Sequence, residues 1–237
     1  ITFRIHINRN RTAKHHGAHN AAVYVSWQDD LIPPLGHGQN HRLNRRGGAA
    51  DHKKCIGRAK GFGSQKEVIA ELVFNTSMVG YQEILSDPAC AGEALVMTYP
   101  VIGSYGMADE DYESRACYAG CLIVRRYNDR PSNFRYTKTL EEVMAENDIP
   151  GIQGVDTRAI GRMLRDEGSM KVLLTDKDTS LEKAMELIRQ AAPEEGLAKK
   201  VGGKKIRYSR TANFRYNVAA VDCGIRQSSI RCLNKRG

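Results

Sequence analysis

Two short apolar alternations, Phe3-Ile5-Ile7 and Val23-Val25-Trp27, open the chain, and the breakers Pro33-Pro34 and Gly47-Gly48 follow them. The apolar positions between them are too few to build a core, so residues 1–54 read as a solvated, largely disordered arm. From Glu67 the pattern becomes regular. Val68-Ile-Ala-Glu-Leu-Val-Phe74 reads as a buried strand that ends at Asn75-Thr-Ser77. Ala94-Leu-Val-Met-Thr-Tyr99 reads as a second, stopped by Pro100, which has no N–H to give to a ladder. Cys121-Leu-Ile-Val124 is a third.

The helices carry clearer punctuation. Thr139-x-x-Glu142 is a capping box, and Leu140, Val143 and Met144 follow at helical spacing until Pro150-Gly151. Asp156 caps the next helix, in which Ile160, Met163 and Leu164 share a face and Gly168 supplies the stop. Thr179-x-x-Glu182 opens a third, with Leu181, Ala184, Met185 and Ile188 on one side and Pro193 beyond. Strands and helices mixed in this way predict an α/β layer domain over residues 55–192. Residues 193–217 read as a basic linker. Val218-Ala-Ala-Val221 then reads as a short strand, Asp222-Cys-Gly224 as a turn, and Ile225, Ile230 and Leu233 as one face of a helix. That is the opening βα unit of a doubly wound sheet, and residues 218–237 alone are too short to enclose a core.

Composition changes this picture at one place. Of 36 Lys and Arg against 27 Asp and Glu, residues 1–54 hold nine of the former and three of the latter, together with all 7 His and the single Trp. The composition break near residue 54 is therefore the clearest boundary in the chain. His15, His16 and His19 raise the question of a metal site, but no Cys or carboxylate lies close by, so we favour a solvated arm. The alternative is a polyanion or nucleic-acid binder working through residues 1–54, with only Tyr24 and Trp27 as interleaved aromatics. No apolar run approaches the roughly 18 residues of a membrane span, and no secretory core follows the early basic residues. The setting expected is the cytoplasm, where the six cysteines stay reduced.

Candidate chemistry is sparse. The closest cysteine pair is Cys117-x3-Cys121, and residues 53–237 contain no histidine, so a Cys/His couple within them is excluded by counting. Gly57-x3-Gly61-x-Gly63 has no preceding strand and no following Lys-Ser/Thr, and reads as a turn between strands rather than a phosphate loop. Glu83 with Asp87, and Asp109-Glu110-Asp111 with Glu113, read as caps and solvated loops. Neither a G-x-S-x-G or G-x-C-x-G elbow nor an HExxH helix occurs, so no catalytic residue is assigned.

Longer motifs point further. Glu71-Leu-Val-Phe-Asn-Thr-Ser-Met-Val-Gly-Tyr-Gln-Glu-Ile-Leu-Ser-Asp-Pro88 resembles the small, glutamine-hydrolysing subunit of carbamoyl phosphate synthetase. The likeness continues through Met97–Gly103, Tyr105-Gly106, Asp111–Ser114, Pro131–Arg135, Asn147–Gly151, Gly154–Ala159, Leu164-Arg165 and Gly168. Val221-Asp-Cys-Gly-Ile225 with Ile230-Arg231 resembles the start of that family's glutaminase domain. The resemblance implies a swivelling β/β/α N-terminal domain, followed by the first βα unit of a truncated, flavodoxin-like class I glutamine amidotransferase domain. It implies ammonia supply from glutamine to a large subunit that uses ATP and bicarbonate, with carbamoyl phosphate feeding arginine and pyrimidine synthesis. No cofactor is expected on this chain itself.

Three departures accompany the likeness. The triad-bearing remainder of the glutaminase domain has no counterpart in these residues, so the chain alone is expected to be inactive. After Asp87-Pro88 the family has a glutamine-contacting Ser, where this chain has Ala89, whose methyl neither donates nor accepts a hydrogen bond. The family's first strand, an apolar run ending in Glu-Asp-Gly, has no match in residues 1–54, which predicts a frayed sheet edge where that strand would pair.

Overall fold

The structure, a computed structural model, describes residues 20–27 and 55–237 apart from residues 169, 176, 178, 193 and 213. Seven strands form its centre: β1 Asn20–Trp27, β2 Cys55–Gly63, β3 Val68–Asn75, β4 Ala94–Ile102, β5 Cys121–Tyr127, β6 Pro150–Gln153 and β7 Met170–Thr175. They close into a barrel in the order β1-β2-β6-β5-β4-β3-β7, with β7 returning to β1. The run β3, β4, β5, β6 is parallel and the remaining pairs are antiparallel. Around it lie α1 Tyr81–Leu85, α2 Leu140–Glu146, α3 Thr157–Glu167 and α4 Leu181–Gln190, then α5 Leu197–Val201 and α6 Gln227–Arg236.

The continuous apolar runs of β4 and β5 follow from burial on both faces. Ala94 and Val96 point into one cluster with Cys121 and Ile123, while Leu95 and Met97 join Leu122 and Val124 in another. The first cluster gathers side chains from β2 through β7 together with Leu164 of α3. Its small members Ala59, Ala70, Ala94 and Cys121 leave room for the larger ones, as a narrow barrel requires. The second lies under α1 and α2, with Tyr81, Leu85, Leu140, Val143 and Met144. A third patch, Leu173 with Ala184 and Ile188, seats α4 on β7.

The predicted α/β class holds, and β3, β5, α2 and α3 fall where the pattern places them. Thr139 and Glu142 form the reciprocal capping box, and the Asp156 side chain accepts from the Ala159 N–H. Several expectations are corrected. The alternation ending in Val25 and Trp27 is a barrel strand rather than part of a disordered arm, and the rest of residues 1–54, with His15, His16 and His19, lies outside the described residues. Because β1 pairs with both β2 and β7, the sheet has no frayed edge there. Pro100 does not end β4. The register with β5 shifts between Met97 and Val101, and at such a bulge no ladder N–H is required of Pro100.

The glycine run 57–63 is strand β2, not a turn. Gly63 has φ +74°, and a Cβ there would sit 2.7 Å from the Ile149 carbonyl, so glycine serves close packing under α2. The α4 cap is Ser180, one residue later than predicted. Val218–Val221 forms no strand. Val218 and Val221 are exposed, because no described strand lies alongside to take their backbone hydrogen bonds.

Candidate functional site

The turn that carries Ala89 is built between α1 and β4. Tyr81 stacks on Tyr105 with ring centroids 4.2 Å apart and donates its hydroxyl to the Gly106 carbonyl. The Tyr105 hydroxyl in turn accepts from the Gly80 and Tyr81 N–H groups. Burial pushes the Tyr81 hydroxyl far above its usual range, so it stays a neutral donor. Gln82 is buried and spans the Ala108 peptide, donating to its carbonyl and accepting from its N–H. These bonds fix the helix from which Ser86 and Asp87 emerge.

Asp87 then caps a short 3-10 turn, Pro88–Cys90, accepting from the Ala89 N–H at 3.0 Å. The same carboxylate, buried among its neighbours, accepts from Arg226 Nε at 3.0 Å and pairs with Arg226 Nη2. Two carboxylate oxygens facing two guanidinium nitrogens make a bidentate contact, which fixes orientation as well as charge. Ala89 is exposed beside this pair, and its methyl makes no hydrogen bond.

A second clamp lies next to the first. The Glu113 carbonyl accepts from the Gln227 N–H at 2.8 Å, and its carboxylate accepts from the Ser228 N–H at 3.0 Å. Glu113 thereby caps the first turn of α6, where the helix dipole favours a negative charge. Its own N–H donates to the Ser86 hydroxyl, so the caps of α6 and the Ala89 turn share one network. Asp222 accepts from the Gly203, Gly224 and Ile225 N–H groups, and the last two hold its carboxyl below the usual carboxylate range. Gly224, at φ +111°, passes so close that a Cβ would lie 2.9 Å from Pro88. An open cleft of about 1470 Å³ borders Pro88, Arg115, Val201, Tyr208, Asp222 and Ile225.

The clamps orient the Ala89 turn against α6, and the three thiols of Cys90, Cys117 and Cys121 are held in their neutral form. Burial, reinforced by Asp87, pushes the Cys90 thiol up to about 11, and burial alone pushes Cys117 and Cys121 up to about 12. The described residues contain no histidine to serve as a base. The structure brings Asp87 to the Ala89 turn as the cap the sequence predicts, whereas Glu110 and Asp111 stand on a surface turn paired with Arg135. Glu113 and Arg226 are what sequence reasoning missed. The first falls among the residues read as caps and solvated loops, without the helix that it caps, and nothing local marks the second, which lies 139 residues from its partner.

Comparison with known proteins agrees with these motifs. Residues 51–174 match the family model for carbamoyl-phosphate synthase small chain, CPSase domain. The carbamoyl phosphate synthase small chain of Syntrophotalea carbinolica is 41% identical over 199 residues, covering 78% of this chain and 52% of that one. The small chain of Staphylococcus epidermidis is 38% identical over 175 residues, covering 74% and 47%. The pyrimidine-specific small chain of Bacillus subtilis is 37% identical over 175 residues, covering 74% and 48%. The chain thus spans about half the length of the curated relatives it matches. With the matched stretch running from β2 to β7 and including the Ala89 turn, the chain belongs to the carbamoyl-phosphate synthase small chain family, through its CPSase domain.

Proposed function

We propose that this chain serves in a glutamine-hydrolysing carbamoyl phosphate synthetase, as the CPSase-domain part of a small subunit that passes glutamine-derived ammonia to a large subunit in the cytoplasm. In this reading the barrel with its helices, through residue 192, is the family's swivelling β/β/α domain, and residues 193–217 are a linker. Residues 218–237 open a flavodoxin-like glutamine amidotransferase domain. ATP and bicarbonate belong to the large subunit, where carbamoyl phosphate for arginine and pyrimidine synthesis is made.

The observation that carries the reading is the family match together with the Asp87–Arg226 pair, which seats residues 222–231 against the Ala89 turn. A turn bearing a substrate contact and the start of the domain that hydrolyses the substrate belong side by side. With Ala89 in place of a hydroxyl, that turn offers glutamine only backbone groups. The 237-residue chain lacks a base for a cysteine nucleophile after His52, and is expected to hydrolyse no glutamine by itself while forming a complex with the large subunit. Ammonia release from glutamine, followed with and without the purified large subunit, and co-elution in size exclusion test both parts. Ammonia release by the 237 residues alone, or separate elution, overturns the proposal.

A further inference from the structure

Residues 203–237 hold nine Lys and Arg against a single carboxylate, Asp222. Arg226 and Arg231 are paired with Asp87 and Glu113, and the other seven make no ion pair with a described carboxylate. Five of those seven, Lys204, Lys205, Arg207, Arg210 and Arg236, line the open cleft of about 1470 Å³, and so do Tyr208, Phe214 and Tyr216. These three aromatics are 82%, 65% and 76% exposed. A basic connector is ordinarily a solvated spacer. This one is pinned: Asn234 of α6 donates to Ser209 Oγ at 2.7 Å, Gly203 N–H to the Asp222 carboxylate at 2.8 Å, and Arg215 N–H to the Gly237 carbonyl at 2.8 Å. Cations and aromatics are thereby held around one cleft, and Asp222, the one acid on its wall, already accepts from three N–H groups.

We infer that this cleft binds single-stranded nucleic acid, with its lysines and arginines on phosphates and Tyr208, Phe214 and Tyr216 as stacking platforms for bases. The make-up of the wall selects the occupant. Its charge calls for a repeated anion and its aromatics for a flat π-surface, and every nucleotide carries both. An acidic peptide brings the charge without the bases, and a duplex keeps its bases stacked within itself. A buried protein contact is depleted of charge at its centre, whereas five cations line this cleft. Small-molecule sites enclose roughly 300–1,000 Å³, less than the space here. The inference does not rest on the proposed part in ammonia supply, and each can fail alone.

The test is fluorescence anisotropy with the full 237-residue chain and a labelled single-stranded RNA of about 12 mixed-sequence nucleotides. The double variant Tyr208→Ala/Tyr216→Ala is expected to weaken binding at least about tenfold at fixed salt. Lys204→Gln/Arg207→Gln should weaken it too, and should make the fall of log K with log salt shallower by about 1.4. Arg162→Gln on the exposed side of α3 is expected to leave binding unchanged. The same RNA annealed to its complement should bind more weakly than the single strand. All the substituted side chains are exposed, so circular-dichroism melts should match the wild type, and the glutamine pair keeps the test open should the tyrosine pair misfold. Absence of binding by the wild type at low salt overturns the inference. So does equal binding by both cleft variants, the result expected if residues 1–54 held the strand. A loss confined to the lysine and arginine pair, with heparin competing as well as RNA does, shows a general polyanion surface and overturns it too, as does a duplex bound as tightly as the strand. None of these results touches the proposed function, which is read from complex formation with the large subunit.

Discussion

The barrel and the segment from residue 203 to 237 are equally apolar in places, yet they end in opposite states. Leu122 and Val124 of β5 are fully buried, whereas Val218 is 64% and Val221 89% exposed. Both stretches read as strands from their side chains. What separates them is neighbours: β5 has β4 and β6 on either side, and among the described residues no strand lies beside Val218–Val221. The barrel is therefore held by burial, and the tail by a few polar clamps, Asp87 with Arg226, Glu113 with the start of α6, and Asp222 with three N–H groups. Apolar content proposes a strand, and hydrogen-bonding partners decide it.

Mutations should divide along that line. The largest effect is expected in the barrel, where Ile123→Ala leaves a cavity at a site 1% exposed and costs about 2–5 kcal/mol, read from a urea midpoint. Val221→Ala, made in parallel, should change the midpoint by less than about 0.5 kcal/mol; equal losses would mean that the tail is packed as the barrel is. Next comes Gly151→Ala, whose Cβ would lie 2.7 Å from both Met144 and Phe62, with an expected loss of about 1–3 kcal/mol in a thermal melt.

Asp87→Asn removes the charge facing Arg226. It is expected to cost roughly 1 kcal/mol at most, since the arginine is half exposed. Its main sign should be faster hydrogen exchange over residues 222–231, with β4 and β5 unchanged; faster exchange in the barrel strands as well would show that the two regions unfold together. The smallest effect is one of pH. Asp222 has its folded pKa below the ordinary 3.8, so the stability it lends the tail is present above that value and is lost as pH falls through the lowered one. Protection of the Gly203, Gly224 and Ile225 amides, corrected for intrinsic exchange, should follow that acid limb in the wild type. In Asp222→Asn the limb should disappear.

Much of this was legible in residue order, and the reasons are local. The capping box at Thr139, the Asp156 cap and the stop at Gly168 involve partners three or four residues away, so they can be read from spacing. The run Cys121–Val124 of β5 announces double burial by itself, whereas the similar run of β3 buries only Ala70 and Leu72 and leaves Phe74 exposed. Long motifs likewise identify the family and single out Ala89. The same reading failed on β2, where three glycines conceal a strand; one of them, Gly63, makes room for Met144 and the Ile149 carbonyl on other elements, which no local pattern records. It passed over β6 and β7, and left β1 as an arm, since a strand of four to eight residues gains its stability only from the ladder beside it.

The sequence by itself determined the helices α2, α3, α4 and α6, the strands β3, β4 and β5 and the family, because side-chain periodicity, caps and motifs are properties of neighbouring residues; it passed over α1 and α5. Only the tertiary structure decided that the sheet closes, that Val218–Val221 pairs with no described strand, and that Arg226 reaches Asp87 from 139 residues away. Ladder bonds and long-range ion pairs take their energy from partners that meet only when the chain is folded, and no local pattern records which partner that will be.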